Sequence, residues 1–328
     1  MSIMKDMLLW LYWYPLRNLI QRMPVRHVYL LVRLSAEFLY HVLSHKRKAL
    51  EEEFYGIFGT EMADKQAKTA VRRAVVNLCQ TEAEMMLYSE IDNRNIMAFV
   101  EPIGIENLDN ALSGGKGVML LFAHFGANQM IMPAIGCRGN AISQLSARPT
   151  VWPEKLPDKK FTRMGKKALE IRWAQELSLP VTHINIFGSL KRAFTCLKRN
   201  EILGIAIDGG GGKKRVAVNF LGKKALFSTG AMDIALRTRC TVLPAFMIRC
   251  KNGRNKMIIE APLDVVYSDD EDPIKRNTQV FVKKLEDYVL RYPCHYLNFL
   301  ALRTFMEGID GIPFIVKKEE FNEKNIAH

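Results

Sequence analysis

The sequence predicts an α/β protein, with a mostly parallel central sheet flanked by helices and with membrane-docking helices at its N-terminus. Three observations predict it. From about Gly104 onward, short β-rich runs alternate with helical ones, the pattern of strand–helix–strand units. Residues 46–103 carry helix-period patterning instead, clearest in Lys65 to Tyr88. The first 45 residues are denser in apolar and aromatic side chains than the rest.

Met7 to Leu16, MLLWLYWYPL, is flanked by Lys5 and Arg17, and a second apolar stretch, Val28 to Leu43, is interrupted by Arg33, Glu37 and His41. Neither reaches the roughly 20 uninterrupted apolar residues of a spanning helix. No small-residue cleavage site follows the first block, and Asp6 offsets Lys5, so it does not read as a secretory signal. Trp10, Tyr12, Trp13 and Tyr14, followed by Arg17, Arg22, Arg26 and Arg33, suit the headgroup zone of an anionic bilayer. The competing reading is a helix packed on the core.

Within residues 104–311 the expected strands are Gly117 to Ala123, Ala141 to Ala147, Val181 to Ile186, Ile202 to Asp208, Cys240 to Ile248 and Lys256 to Pro262. The intervening helices are expected from Phe125, around 158–177, near 189–199 and, most clearly, over Pro273 to Arg291. Residues 312–328 read as a loosely ordered tail.

The chain has 328 residues and a formal net charge of +13, which points to a polyanionic partner: nucleic acid, an anionic membrane surface or a phosphorylated substrate. The cations are dispersed and form no recognition-module pattern, which disfavours nucleic acid. Six cysteines are scattered singly, without CxxC, which argues against a zinc site or a disulfide framework and for a reducing compartment.

Function in open α/β sheets gathers where strands end and helices begin. In VMLLFAHFGANQM (118–130), His124 stands at such an end, where an imidazole can act as a general base near neutral pH. Gly126 permits close approach, and Asn128 and Gln129 follow. Arg148 closes the next strand in SARP, and Asp208 closes another in GIAIDGGGGKKR. The glycine run with Lys213, Lys214 and Arg215 reads either as a phosphate or carboxylate grip or as a surface hairpin; it lacks P-loop spacing. Arg237 and Arg239 read equally as phosphate-facing or as a solvated helix face. No Gly-x-Ser-x-Gly elbow occurs.

The stretches LLFAHFGANQ, SARP, AIDGGGG, VAVNFLGKKALFSTGAMDIALRTRCTVLPAFMIR and MIIEAPLDV resemble the bacterial lipid A late acyltransferases, the lauroyl and myristoyl transferases of the lysophospholipid acyltransferase superfamily. The likeness runs from about Gly104 to Arg303. It implies a glycerolipid-acyltransferase-like fold at the cytoplasmic face of the inner membrane. It also implies transfer of an acyl group from acyl carrier protein or acyl-CoA to a hydroxyl or amine of a glycolipid, with no metal and no redox cofactor. The family signature, a His followed five positions later by Asp or Glu, falls on His124 and Gln129. The resemblance thus makes His124 the base and Gln129 a neutral group that orients it. Arg148 and Asp208, with Asn128 and Lys213, become substrate-positioning residues. Gly209 stands where the family commonly has Gln, and Asn298 and Leu300 replace a Trp and a His near the C-terminus. Two alternatives stay open: a non-catalytic lipid-binding relative, and an acyltransferase for another acceptor such as an ornithine lipid or a lipid-linked secondary metabolite.

Overall fold

The computed structural model describes residues 2–59, 64–156, 160–210, 212, 214–267 and 272–316. Among the described residues ten strands form two sheets: β1 (Val100–Ile103), β2 (Val118–Phe122), β3 (Ile142–Ser146), β4 (Thr182–Asn185), β5 (Ile202–Ala206), β6 (Arg215–Phe220), β7 (Lys223–Ser228), β8 (Thr241–Arg249), β9 (Asn255–Ile259) and β10 (Ile315–Val316). The large sheet runs β1-β9-β8-β2-β5-β3-β4. All of its pairings are parallel except β8 with β9. The central strand β2 is buried at all five positions, the continuous apolar run required of a strand covered on both faces.

The α/β expectation therefore holds, with three differences. β1 lies inside the segment expected to be helical and pairs with β9, so the expected boundary at 104 runs through the sheet. β6 and β7 form an antiparallel hairpin that β10 extends. Phe314 is buried against Phe220, Phe227 and Phe299, which anchors the start of the expected loose tail; residues 317–328 lie outside the described residues. The expected helix over Pro273 to Arg291 is found as Pro273–Arg291, capped by Asp272, whose carboxylate accepts from the backbone N–H groups of Ile274 and Lys275.

The N-terminal helices are built into the core on one face. In the helix Val25–Val42, Val28, Tyr29, Val32 and Ala36 are buried against the helix Asp64–Met86. The Tyr29 hydroxyl donates to Glu84 at 2.7 Å, and Glu84 also receives a two-pronged ion pair from Arg249 of β8 (2.7 and 2.8 Å) and a bond from Asn255 of β9. A buried charge is stable only when it is paired in this way. This network joins the N-terminal helix, the second helical layer and the sheet. Among the described residues no helix is long and apolar enough to cross a membrane.

Candidate active site

Strand register brings the site together. β2 and β5 pair in parallel with Phe122 opposite Ala206, so the residues two positions beyond each, His124 and Asp208, emerge side by side at the same end of the sheet. The ladder continues one step further, through the Ile207 N–H to the Phe122 carbonyl. The Asp208 carboxylate then accepts from the backbone N–H of His124 at 2.8 Å and contacts His124 Nδ1 at 2.7 Å. A third donor, the Tyr296 hydroxyl, reaches the same carboxylate at 2.9 Å. Three donors converging on one buried group call for an acceptor-only carboxylate, which requires the His124 proton to sit on Nδ1. That leaves the Nε2 lone pair for chemistry, on a side chain that is 41 % exposed.

Burial disfavours protonated His124, but the charge and hydrogen bond of Asp208 more than offset this and hold its pKa above the ordinary imidazole value; Arg303 pulls the other way.

The segment from His295 to Phe299 braces the imidazole. The Gly126 N–H donates to the His295 carbonyl at 2.9 Å, Tyr296 holds Asp208, and the Phe299 ring stacks on the imidazole with 4.9 Å between centroids. Gly126 sits at φ +61°, and a Cβ there would fall 1.8 Å from the Met247 carbonyl oxygen, so only glycine fits. His295 itself is structural. Burial and the neighbouring Arg249 and Arg73 charges push it down to about 3, and its neutral ring accepts from the Arg249 N–H.

The expectation that Gln129 orients His124 is overturned. Its side-chain oxygen accepts instead from the Tyr88 hydroxyl at 3.3 Å. The reason is local. Residues 124–127 do not continue as a helix, Ala127 has φ −88° and ψ 47°, and only a 3-10 turn at Asn128–Met130 precedes the helix Ile131–Gly136. A five-residue spacing therefore does not set Gln129 beneath His124. The carboxylate comes from Asp208, expected to bind substrate and found instead on the imidazole.

Other expected residues are scattered. Asn128 is half-buried in the 3-10 turn, without a side-chain bond among the described residues. Arg148 is exposed beyond β3, and no described hydrogen bond or ion pair joins its side chain to the His124–Asp208 pair. Lys213 lies outside the described residues. Arg237 pairs with Asp233 on an exposed helix face, and Arg239 lies over Tyr267. The residues replacing the family's Trp and His serve packing: Asn298 donates to the Ala74 carbonyl, and Leu300 is buried. Tyr296 and Phe299, which sequence reasoning gave no role, sit in the same short run.

Among the described residues no group of three or more His, Cys, Asp or Glu could hold a metal ion. Two surface cavities, of about 540 and 260 Å³, lie elsewhere, lined respectively by residues including Tyr40, Lys65 and Arg72 and by residues including Lys116, Phe194 and Arg237. Neither includes His124 or Asp208.

The family model described as bacterial lipid A biosynthesis acyltransferase matches residues 1–302. Among curated proteins none matches the sequence. Among solved structures, the 1-acyl-sn-glycerophosphate (LPA) acyltransferase PlsC from Thermotoga maritima is similar at 15% identity, over 80% of this chain and 97% of that one, with a TM-score of 0.35.

Proposed function

Since this chain belongs to the bacterial lipid A biosynthesis acyltransferase family, we propose that it moves a fatty acyl group from a thioester of acyl carrier protein or coenzyme A to a hydroxyl or amine of a membrane glycolipid, with His124 as general base and Asp208 as the residue that orients it. The observation that carries this reading is the 2.7 Å contact between His124 Nδ1 and Asp208 Oδ1.

In this mechanism Nε2 takes the proton of the acceptor hydroxyl as its oxygen attacks the thioester carbonyl. A tetrahedral oxyanion forms and collapses, the carbon–sulfur bond breaks, and the imidazolium returns the proton to the leaving thiolate. Asp208 holds the tautomer and stabilises the imidazolium, a service a neutral glutamine could not provide. Phe299 limits rotation of the ring.

The reading extends to a shallow docking of the N-terminal helices at the cytoplasmic face of the inner membrane. Leu30, Leu34 and Phe38 recur every four residues on the helix Val25–Val42 and are exposed, as are Ile3, Met7 and Leu8 on Ser2–Leu11. Such ridges, on a chain of net charge +13, suit both an anionic bilayer and an acidic carrier protein. The test is mass spectrometry of lipids from cells expressing the native chain or His124→Ala. The expected outcome is a glycolipid acyl chain present in the first and missing in the second; an unchanged lipid profile with native His124 removed would overturn the assignment.

A further inference from the structure

Two guanidinium groups converge on the loop that follows Asp208. Arg303, on the helix Leu297–Asp310 one turn beyond Phe299, is only 6 % exposed. Its Nε has no hydrogen-bond partner, and its Nη2 donates to the Ile312 carbonyl at 3.3 Å. Among the described residues, the one carboxylate within ion-pair range is Asp310, at 3.9 Å from Nη1 and beyond hydrogen-bond reach. Nη1 faces Gly210 closely enough that a Cβ there would lie 3.0 Å away. From the other side, half-buried Arg215 donates from Nη2 to the Gly210 carbonyl at 3.2 Å. The adjacent Gly209 borders the imidazole, since a Cβ on it would lie 3.7 Å from His124 Cε1.

Two like charges held close together, one of them buried with an orphaned N–H, destabilise a fold unless an anion joins them. Burial and the Arg303 charge hold Arg215 below the usual arginine range, with Asp310 opposing. Gly210 puts no side chain against the Arg303 guanidinium, where a Cβ would crowd Nη1. Paired guanidinium groups match the geometry of phosphate, whose oxygens accept several charge-assisted bonds at once.

We propose that Arg303 and Arg215 form a grip for a substrate phosphate, seated over Gly210 and next to the His124–Asp208 pair. The inference rests on the acyl-transfer reading of that pair. Its ligand is a phosphate ester, either a phosphate borne by the glycolipid acceptor or the phosphodiester of the pantetheine arm of the donor.

The experiment uses the full-length protein with Arg215→Gln, at a half-buried position, and Arg303→Lys, each checked for a native-like thermal melt. Inorganic phosphate is titrated and followed by phosphorus NMR, which requires no turnover and so stands apart from the base assignment. Saturable binding is expected in the native chain and about 10- to 100-fold weaker binding in Arg215→Gln, the loss typical of one charge-assisted bond or two. In kinetics, a comparable rise in KM with kcat retained is expected for one substrate only. If that substrate is the donor, the effect vanishes with a phosphate-free acyl-N-acetylcysteamine thioester; if it is the acceptor, it vanishes with a dephosphorylated glycolipid. Absence of phosphate binding by the native chain, equal binding by the folded variants, or a fall in kcat with both KM values unchanged would each overturn the grip. Loss of activity in His124→Ala with phosphate binding intact separates the two assignments.

Discussion

The imidazole of His124 and the ring of Phe299 lie within 8° of parallel, 4.9 Å apart, while Asp208 holds the Nδ1 edge of the same imidazole. The imidazole is thus fixed by an aromatic face and by an anion that lie far apart in the sequence. Phe299 is 6 % exposed, so Phe299→Ala should remove about 3–5 kcal/mol of stability. Phe299→Leu, closer in volume, should keep the fold but lower kcat by releasing the ring. Thermal unfolding and steady-state kinetics on the two variants check this; equal kcat in Phe299→Leu would show that the stack has no part in positioning.

As the proposed base, His124 works only when unprotonated, and its pKa is raised above 6.5, so kcat/KM should climb with pH through a midpoint above that value. In Asp208→Asn the two raising influences disappear while burial and Arg303, which both lower, remain. The midpoint should then fall below 6.5, and kcat should drop by on the order of 10²- to 10⁴-fold. Stability follows the same linkage: the pair's contribution is complete below the unfolded pKa and fades as pH rises through the folded one. A pH–rate profile with an unmoved midpoint would separate His124 from the titration.

Gln129 bonds to Tyr88 rather than to the imidazole. Gln129→Ala should therefore leave the acidic midpoint unchanged and cost only about 0.5–1.5 kcal/mol from the lost bond. The measurement is the same pH–rate profile beside a denaturant melt. A shifted midpoint would return Gln129 to the catalytic pair.

Gly126→Ala forces a side chain into a positive-φ position and onto the Met247 carbonyl. A loss of roughly 2–5 kcal/mol is expected, with the His124 loop displaced. Calorimetry reads the first effect; a native-like melting temperature would show that the strand end can shift freely.

Leu34 and Phe38 are 62 % and 68 % exposed, so the double change to Glu should leave the fold intact. If these side chains enter lipid, each contributes about 1.5–3 kcal/mol, and co-sedimentation with anionic vesicles should weaken by a hundredfold or more. Undiminished sedimentation would move the docking surface elsewhere on the chain.

The sequence by itself determined the alternation of strands and helices, the helix Pro273–Arg291 and the place of His124 at a strand end. Each of these follows from side chains within a few residues of one another: an apolar run or a period of 3.6. Only the tertiary structure decided which group holds the imidazole. Asp208 lies 84 positions from His124, and what joins them is the register of β2 against β5, with Phe122 opposite Ala206. Tyr296 and Phe299 arrive from still farther away, on a turn and helix that pack back over the strand ends. A five-residue spacing predicts contact only if the intervening backbone is helical, and here a glycine at φ +61° and a 3-10 turn intervene. Local patterning sets elements, whereas strand register and the packing of distant segments choose which polar groups meet at their ends.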